Sequence, residues 1–237
     1  MDTKSLSFPE QQGIKLTQAN GLLGGLIWPA ASVLCRYILE NSDLANGKEI
    51  IELGAGTGAV GIYAAATFDC SMTLTEVRPK ITGEDDIMQK SERLLDLLRE
   101  NVDLNRTLFT SDPPQILEVD FSDSDTAKKA VMSSKTGKGY DLILASDVTY
   151  APSLHQPLAG TLALLLSAKL TSRCILTHTE RLLNNRGEDY QLLQFLEALE
   201  KAGLEMLKHA VHHISDETKI HKVSVLEIQF PKRSDGQ

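Results

Sequence analysis

Two acidic residues and a run of glycines form the first group in this chain that could do chemistry: Glu52, the turn Gly54-Ala55-Gly56-Thr57-Gly58, and Glu76. A glycine-rich turn between a strand and a helix lets a ligand approach the backbone closely. Gly54-x-Gly56-x-x-Ala59 also satisfies the dinucleotide fingerprint. Glu52 separates the two cases, because its carboxylate would repel a pyrophosphate and suits a ligand carrying an ammonium and a sulfonium. Glu76 stands at a strand end, where an acidic side chain can accept hydrogen bonds from both ribose hydroxyls. Nicotinamide dinucleotide enzymes share that last feature.

The second group is Asp147-Val148-Thr149-Tyr150, after a later strand. If this segment turns helically, spacing three puts Asp147 and Tyr150 on one side. The residues alone leave two readings open. Asp147 caps the following turn while Tyr150 packs, or both face a ligand. His178 and Arg181 follow the next strand without an assignable role. His209, His212, His213 and His221 have no acidic or cysteine partners at metal-ligand spacing, so edge-strand histidines are expected and no metal site.

The elements that must position these groups alternate. Strands are expected at 48–53, 71–76, 115–119, 140–145 and 174–177, with helices at 29–40, 59–67, 87–104, 158–170 and 191–201. Tyr140–Ala145 (YDLILA) lacks alternation, as a parallel strand covered on both faces should. Two adjacent strands, at 205–213 and 222–230, close the chain. This order predicts an α/β fold with one doubly wound, mostly parallel, seven-stranded Rossmann-like sheet and an antiparallel C-terminal pair. The ligand belongs at the carboxyl ends of its strands. We expect an N-terminal extension over 1–20, one domain over 21–231 and a polar tail over 232–237.

Composition narrows the function classes. With 237 residues and a net charge of −8, the chain suits one globular domain and lacks the basic excess of a nucleic-acid binder. Its three cysteines lie far apart in apolar stretches, which fits buried free thiols in a reducing compartment. Residues 21–39 carry one charge, Arg36, but the Gly24-Gly25 pair and Pro29 argue for a turn and a buried helix, not a membrane span. No leader is expected over 1–15.

Ile51-Glu52-Leu53-Gly54-Ala55-Gly56-Thr57-Gly58 resembles the first motif of the seven-β-strand S-adenosylmethionine-dependent methyltransferases. Gly25-Leu26-Ile27-Trp28-Pro29-Ala30-Ala31, Asn101-x-x-x-Asn105 and Asp147-Val148-Thr149-Tyr150 resemble the family-16 protein-lysine methyltransferases, in the same order and over nearly the whole chain. The resemblance implies S-adenosylmethionine as cofactor and a lysine-bearing protein as substrate. It further implies a cytoplasmic site of action, with the nucleus as a second compartment. Trp28 would pack on the cofactor, Gly54, Ala55 and Gly56 would line its methionine and ribose parts, and Glu76 would hold the ribose. Asp120-Phe121 occupies the place where the family usually has an acidic or small residue and then Trp, so Phe121 would flank the adenine. Ser146 would sit beside the cofactor. Glu76 replaces the more usual Asp. The stretch 77–89 is longer than usual and acidic, as a target-recognition loop or a solvated insertion.

Methyl transfer from a sulfonium is a direct displacement, so the enzyme mainly aligns a neutral nitrogen lone pair. A lysine must first lose its proton. The resemblance therefore turns Asp147 into the group that orients the incoming ammonium, and Tyr150 into an aromatic wall with cation–π attraction. Base amino-methylation instead uses an Asn/Asp-Pro-Pro-aromatic slot after that strand. Asp147-Val148-Thr149-Tyr150 lacks both prolines, and no nucleic acid is expected. Two other functions remain open at this point: methylation of a small amine, and cofactor binding without catalysis.

Overall fold

In the computed structural model, residues 2–5, 13–22, 24–77, 85–215 and 219–231 are described, those at 2–5 and 85–92 by their backbone. A seven-stranded sheet runs in the order β5-β4-β3-β6-β7-β9-β8. Its strands are β3 (Glu49–Leu53), β4 (Ser71–Glu76), β5 (Gln115–Glu118), β6 (Leu142–Ser146), β7 (Arg173–Thr179), β8 (Glu205–Ser215) and β9 (Ile220–Gln229). β5, β4, β3, β6 and β7 are parallel, whereas β9 runs antiparallel to both β7 and β8. This is the doubly wound sheet with an antiparallel end expected from the order of elements.

Alternate residues of the central strands enter opposite helical layers. Ile50, Leu142 and Leu144 join one core with α1 (Pro29–Glu40) and α2 (Ala59–Thr67). Ile51, Leu53, Ile143 and Ala145 join another with α5 (His155–Ala168) and α6 (Tyr190–Lys201). A strand buried on both faces needs apolar residues at every position, which is why the apolar runs do not alternate. The chain winds outward from β3 to β5 and then crosses back to β6 on the other side of β3. That reversal splays the loops after β3 and β6 apart and opens a crevice at their carboxyl ends.

Three features differ from the sequence reading. α4 (Ser124–Met132) was not expected; it is capped by Asp123, which accepts from the Asp125 amide at 3.1 Å, and buries only Ala127 and Ala130. So narrow an apolar face leaves little helical period to read. β1 (Asp2–Ser5) and β2 (Lys15–Gln18) pair antiparallel, and Ile14 and Leu16 enter the core. Packed structure therefore begins within the expected extension. β7, β8 and β9 also run longer than their apolar stretches suggest.

Residues 21–39 divide into a turn and α1, and no described helix is long and apolar enough to cross a membrane. The first part of the 77–89 insertion, from 78 to 84, lies outside the described residues; Asp85 begins α3 (Asp85–Leu104).

Candidate active site

A cleft of about 730 Å³ lies at the carboxyl ends of β3, β4 and β6. It is lined by Trp28, Glu52, Gly54, Ala55, Gly56, Glu76, Asp120, Phe121, Ser146, Asp147 and Tyr150 together. Every residue singled out for cofactor or acceptor thus borders one space.

One side is built from backbone. Gly56 has φ +57°, and a Cβ there would stand 2.7 Å from the Gly24 carbonyl oxygen. The strap leading to Trp28 can therefore lie directly on the glycine turn, which a side chain would prevent. Glu76 accepts from the Gly56 amide at 2.8 Å through Oε2 and from the Val77 amide at 2.9 Å through Oε1. The end of β4 is so pinned to the turn, and the carboxylate keeps lone pairs for a diol. Burial raises the Glu76 pKa, and the two amide bonds hold it back. Val148 lies against Gly54, with Phe121 near the same point, and adds to an apolar wall, although the sequence reading assigned it nothing.

Glu52 faces the α2 side of β3. Its Oε2 accepts from the Gly61 amide at 2.8 Å, and a Cβ on Gly61 would intrude to 2.7 Å from that oxygen. Burial, reinforced by the charge of Glu76, pushes Glu52 up to about 8 against this amide bond. Glu52 borders the cleft, as expected of a residue meeting a cationic ligand, and one of its two oxygens is already engaged by the helix. Its carboxyl group is anchored to the helix and ionises more readily when a cation enters the cleft.

A further support joins distant elements. Asn101 accepts from the Thr17 amide at 2.7 Å and donates to the Thr17 and Thr57 carbonyls at 3.0 and 2.9 Å. Asn105, one turn on, accepts from the Lys15 amide and donates to the Lys15 carbonyl, at 2.9 and 2.7 Å. The pair binds β2 to α3, and Asn101 also grips the glycine turn. Spacing four on a helix puts the two side chains on a shared face, but their partners lie too far off in the chain to be read from the sequence.

The other side is built from side chains. Asp147, buried at the end of β6, has φ +58°. Its Oδ1 accepts from the Thr179 amide at 3.1 Å and Arg181 Nη1 at 2.9 Å. Its Oδ2 accepts from Thr179 Oγ1 at 3.2 Å and Arg181 Nη2 at 2.5 Å. The Asp147 carboxylate therefore does not stand free to receive an ammonium, as the sequence reading had it. It neither faces solvent nor caps the next turn, and a two-pronged ion pair takes it up. The same guanidinium lies 5.8 Å from the centre of the Trp28 ring.

Behind Asp147, the loop is fixed by a buried network. Thr149 Oγ1 and His178 Nδ1 are 2.6 Å apart, and Asp189 accepts from His178 Nε2 at 2.8 Å. The Tyr150 carbonyl accepts from Gln191 Nε2 at 2.6 Å. Burial and the nearby Glu76 raise the Tyr150 phenol, which keeps it protonated. His178 and Arg181 so acquire the positions that the sequence could not give them. Among the described residues, no cluster of histidine, cysteine, aspartate and glutamate could hold a metal ion.

A family model described as lysine methyltransferase matches residues 9–202. The chain belongs to this family. It is 28% identical over 207 residues to the protein N-terminal and lysine N-methyltransferase EFM7 of Yarrowia lipolytica, covering 84% of this chain and 72% of that one. It is 31% identical to the protein N-lysine methyltransferase METTL21A of Danio rerio, covering 66% of each. With the calmodulin-lysine N-methyltransferase of Arabidopsis thaliana it shares 25% identity over 65% of its length, but it spans only 44% of that protein. Among solved structures, precorrin-6y C5,15-methyltransferase of Geobacter metallireducens superposes with a TM-score of 0.57 at 14% identity, covering 91% of this chain and 94% of that one. Magnesium protoporphyrin IX methyltransferase of Synechocystis with bound SAH gives 0.53 at 14% identity, with 85% and 82% covered. At such identity these two speak for the fold.

The lysine methyltransferase family uses S-adenosylmethionine, and this cleft fits it. The buried carboxyls of Glu52 and Glu76 favour a cation and a ribose diol, the glycine turn leaves backbone room, and Phe121 and Val148 offer an apolar wall for a base.

Proposed function

We propose that this protein transfers a methyl group from S-adenosylmethionine to the ε-amino nitrogen of a lysine in a protein. The observation that carries the reading is that two aromatic residues, Trp28 and Tyr150, both exposed, border the same cleft that Glu76 and the glycine turn line. When bound, S-adenosylmethionine supplies an electrophilic methyl group on a sulfonium. Glu76 holds the ribose, Phe121 and Val148 confine the adenine, and Trp28 and Tyr150 channel a long aliphatic side chain toward the reacting centre. Alignment of the nitrogen supplies most of the rate.

The Asp147–Arg181 pair works as a brace. It ties the end of β6 to the segment after β7 and holds a positive guanidinium near the mouth. A polypeptide is preferred to a small amine because the exposed rings leave the described part of the mouth open. The net charge of −8 supports a protein acceptor over a nucleic acid.

Three free thiols, all buried and with raised pKa values, support a reducing, cytoplasmic setting with the nucleus as a further compartment.

The test is incubation with methyl-labelled cofactor and cell lysate, then acid hydrolysis of the labelled protein. Label in methyllysine is expected. Label in a small metabolite would favour the amine reading, and no label would leave cofactor binding without catalysis.

A further inference from the structure

We infer that the segment just past Arg181 is a docking surface for apolar side chains flanking the target lysine of a protein substrate. This rests on the activity proposed above. Leu182 and Leu183 are 57% and 56% exposed, and Tyr190 and Leu193, which follow in the chain, are exposed as well. Contiguous exposed apolar side chains mark interaction sites more often than scattered ones do. This group sits on an ordered hairpin. The Tyr190 amide donates to the Leu182 carbonyl at 3.0 Å, Leu183 bridges to Asp189, and Asn184 Oδ1 accepts from the Arg186 and Glu188 amides.

The hairpin is continuous with the acceptor mouth. Arg181 joins it to Asp147 and Trp28, and Gln191, beside Tyr190, holds the Tyr150 carbonyl. The occupant follows from reach. A lysine side chain extends about 6 Å from its Cα, so a lysine passing between Trp28 and Tyr150 leaves its own backbone on the rim. Leu182 and Leu183 lie one and two residues beyond Arg181. At about 3.3 Å per residue, they meet substrate positions within roughly three of the lysine.

Charge does not supply the contact. Glu180 is paired with Lys222 at 2.6 Å and Asp147 with Arg181, the buried Asp189 carboxylate turns inward onto the His178 ring, and Arg186 and Glu188 bring opposite charges to the tip. A neutral rim with leucines and a tyrosine selects an apolar neighbour, not a basic or acidic one.

The test compares the wild type with the double variant Leu182→Ser/Leu183→Ser. Both are given tritiated cofactor and whole-lysate protein, and cofactor affinity is measured by calorimetry. The expected result is about a tenfold loss of protein label, with cofactor affinity unchanged. Equal labelling by both proteins overturns the docking surface and leaves the activity standing. A wild type that labels no protein removes the activity and the surface with it. A second arm uses the wild type alone. Nine-residue peptides with a central lysine flanked by leucines should suppress lysate labelling, and serine-flanked peptides should not. Equal suppression by the two would also overturn the assignment.

Discussion

On the cofactor side of the cleft, Glu52 and Glu76 accept hydrogen bonds from backbone amides, and burial raises the pKa of both. Across it, Asp147 is equally buried but is met by a guanidinium, a hydroxyl and an amide. The first pair lacks a fixed cation among the described residues and so remains responsive to a cationic ligand. The third carboxylate already has one and serves as a brace. Burial by itself thus does not tell a ligand-binding carboxylate from a structural one; the charge of its partner does.

The largest effect should come from filling the backbone side. Gly56→Val forces a branched residue to φ +57° and against the Gly24 carbonyl. Calorimetry should show cofactor affinity down by about a hundredfold or more, with a stability loss of about 2 kcal/mol or more. Normal binding by this variant would break the idea that close backbone approach builds that side.

On the braced side, Arg181→Ala leaves Asp147 buried without its cation, a change that costs about 3 kcal/mol in denaturant titration. Asp147→Asn should lower methyl transfer by about a hundredfold while cofactor affinity stays within about threefold of wild type. If Asp147→Asn lost cofactor affinity and kept its turnover number, the two sides would not be separable as drawn. The double variant should be more stable than Arg181→Ala alone, since no charge is then stranded.

Asn101→Ala removes three buried hydrogen bonds that hold β2 and the glycine turn to α3. A stability loss of about 2–3 kcal/mol is expected by urea denaturation, with weaker cofactor binding and no change in preference among protein substrates.

The smallest effect is a pH dependence belonging to Glu52. Its folded pKa of about 8 lies above the ordinary value of 4.5, so its stabilising contribution is full below about 4.5 and is lost as pH rises through 8. The empty protein should therefore lose stability across that window, and Glu52→Gln should flatten the slope. A cation in the cleft favours ionised Glu52. Affinity for S-adenosylmethionine, relative to its uncharged-sulfur product, should accordingly rise severalfold from pH 7 to 9 in the wild type and stay level in Glu52→Gln.

The two sides were unequally legible before any fold was known. Glu52, the glycine turn and Glu76 fall within 25 residues of one another, on a strand–turn–helix–strand unit whose geometry is local. Positive φ and close approach require glycine, so residue type alone marks those positions. The Asp147–Arg181 pair spans 34 residues and depends on β6 and β7 lying side by side. Arg181 therefore appeared as an unassigned cation, and Asp147 as a carboxylate free to meet an amine. α4 was missed because it buries two alanines on an otherwise polar segment.

By itself the sequence determined the alternation of elements, the doubly wound sheet and the loop that receives the cofactor, because these follow from apolar period and from glycine's lack of a side chain. Only the tertiary structure decided which carboxylates have a cation beside them, and that the leucines just past Arg181 stand exposed. Charge pairing and exposure arise when elements far apart in the chain are brought together, and no local pattern encodes them.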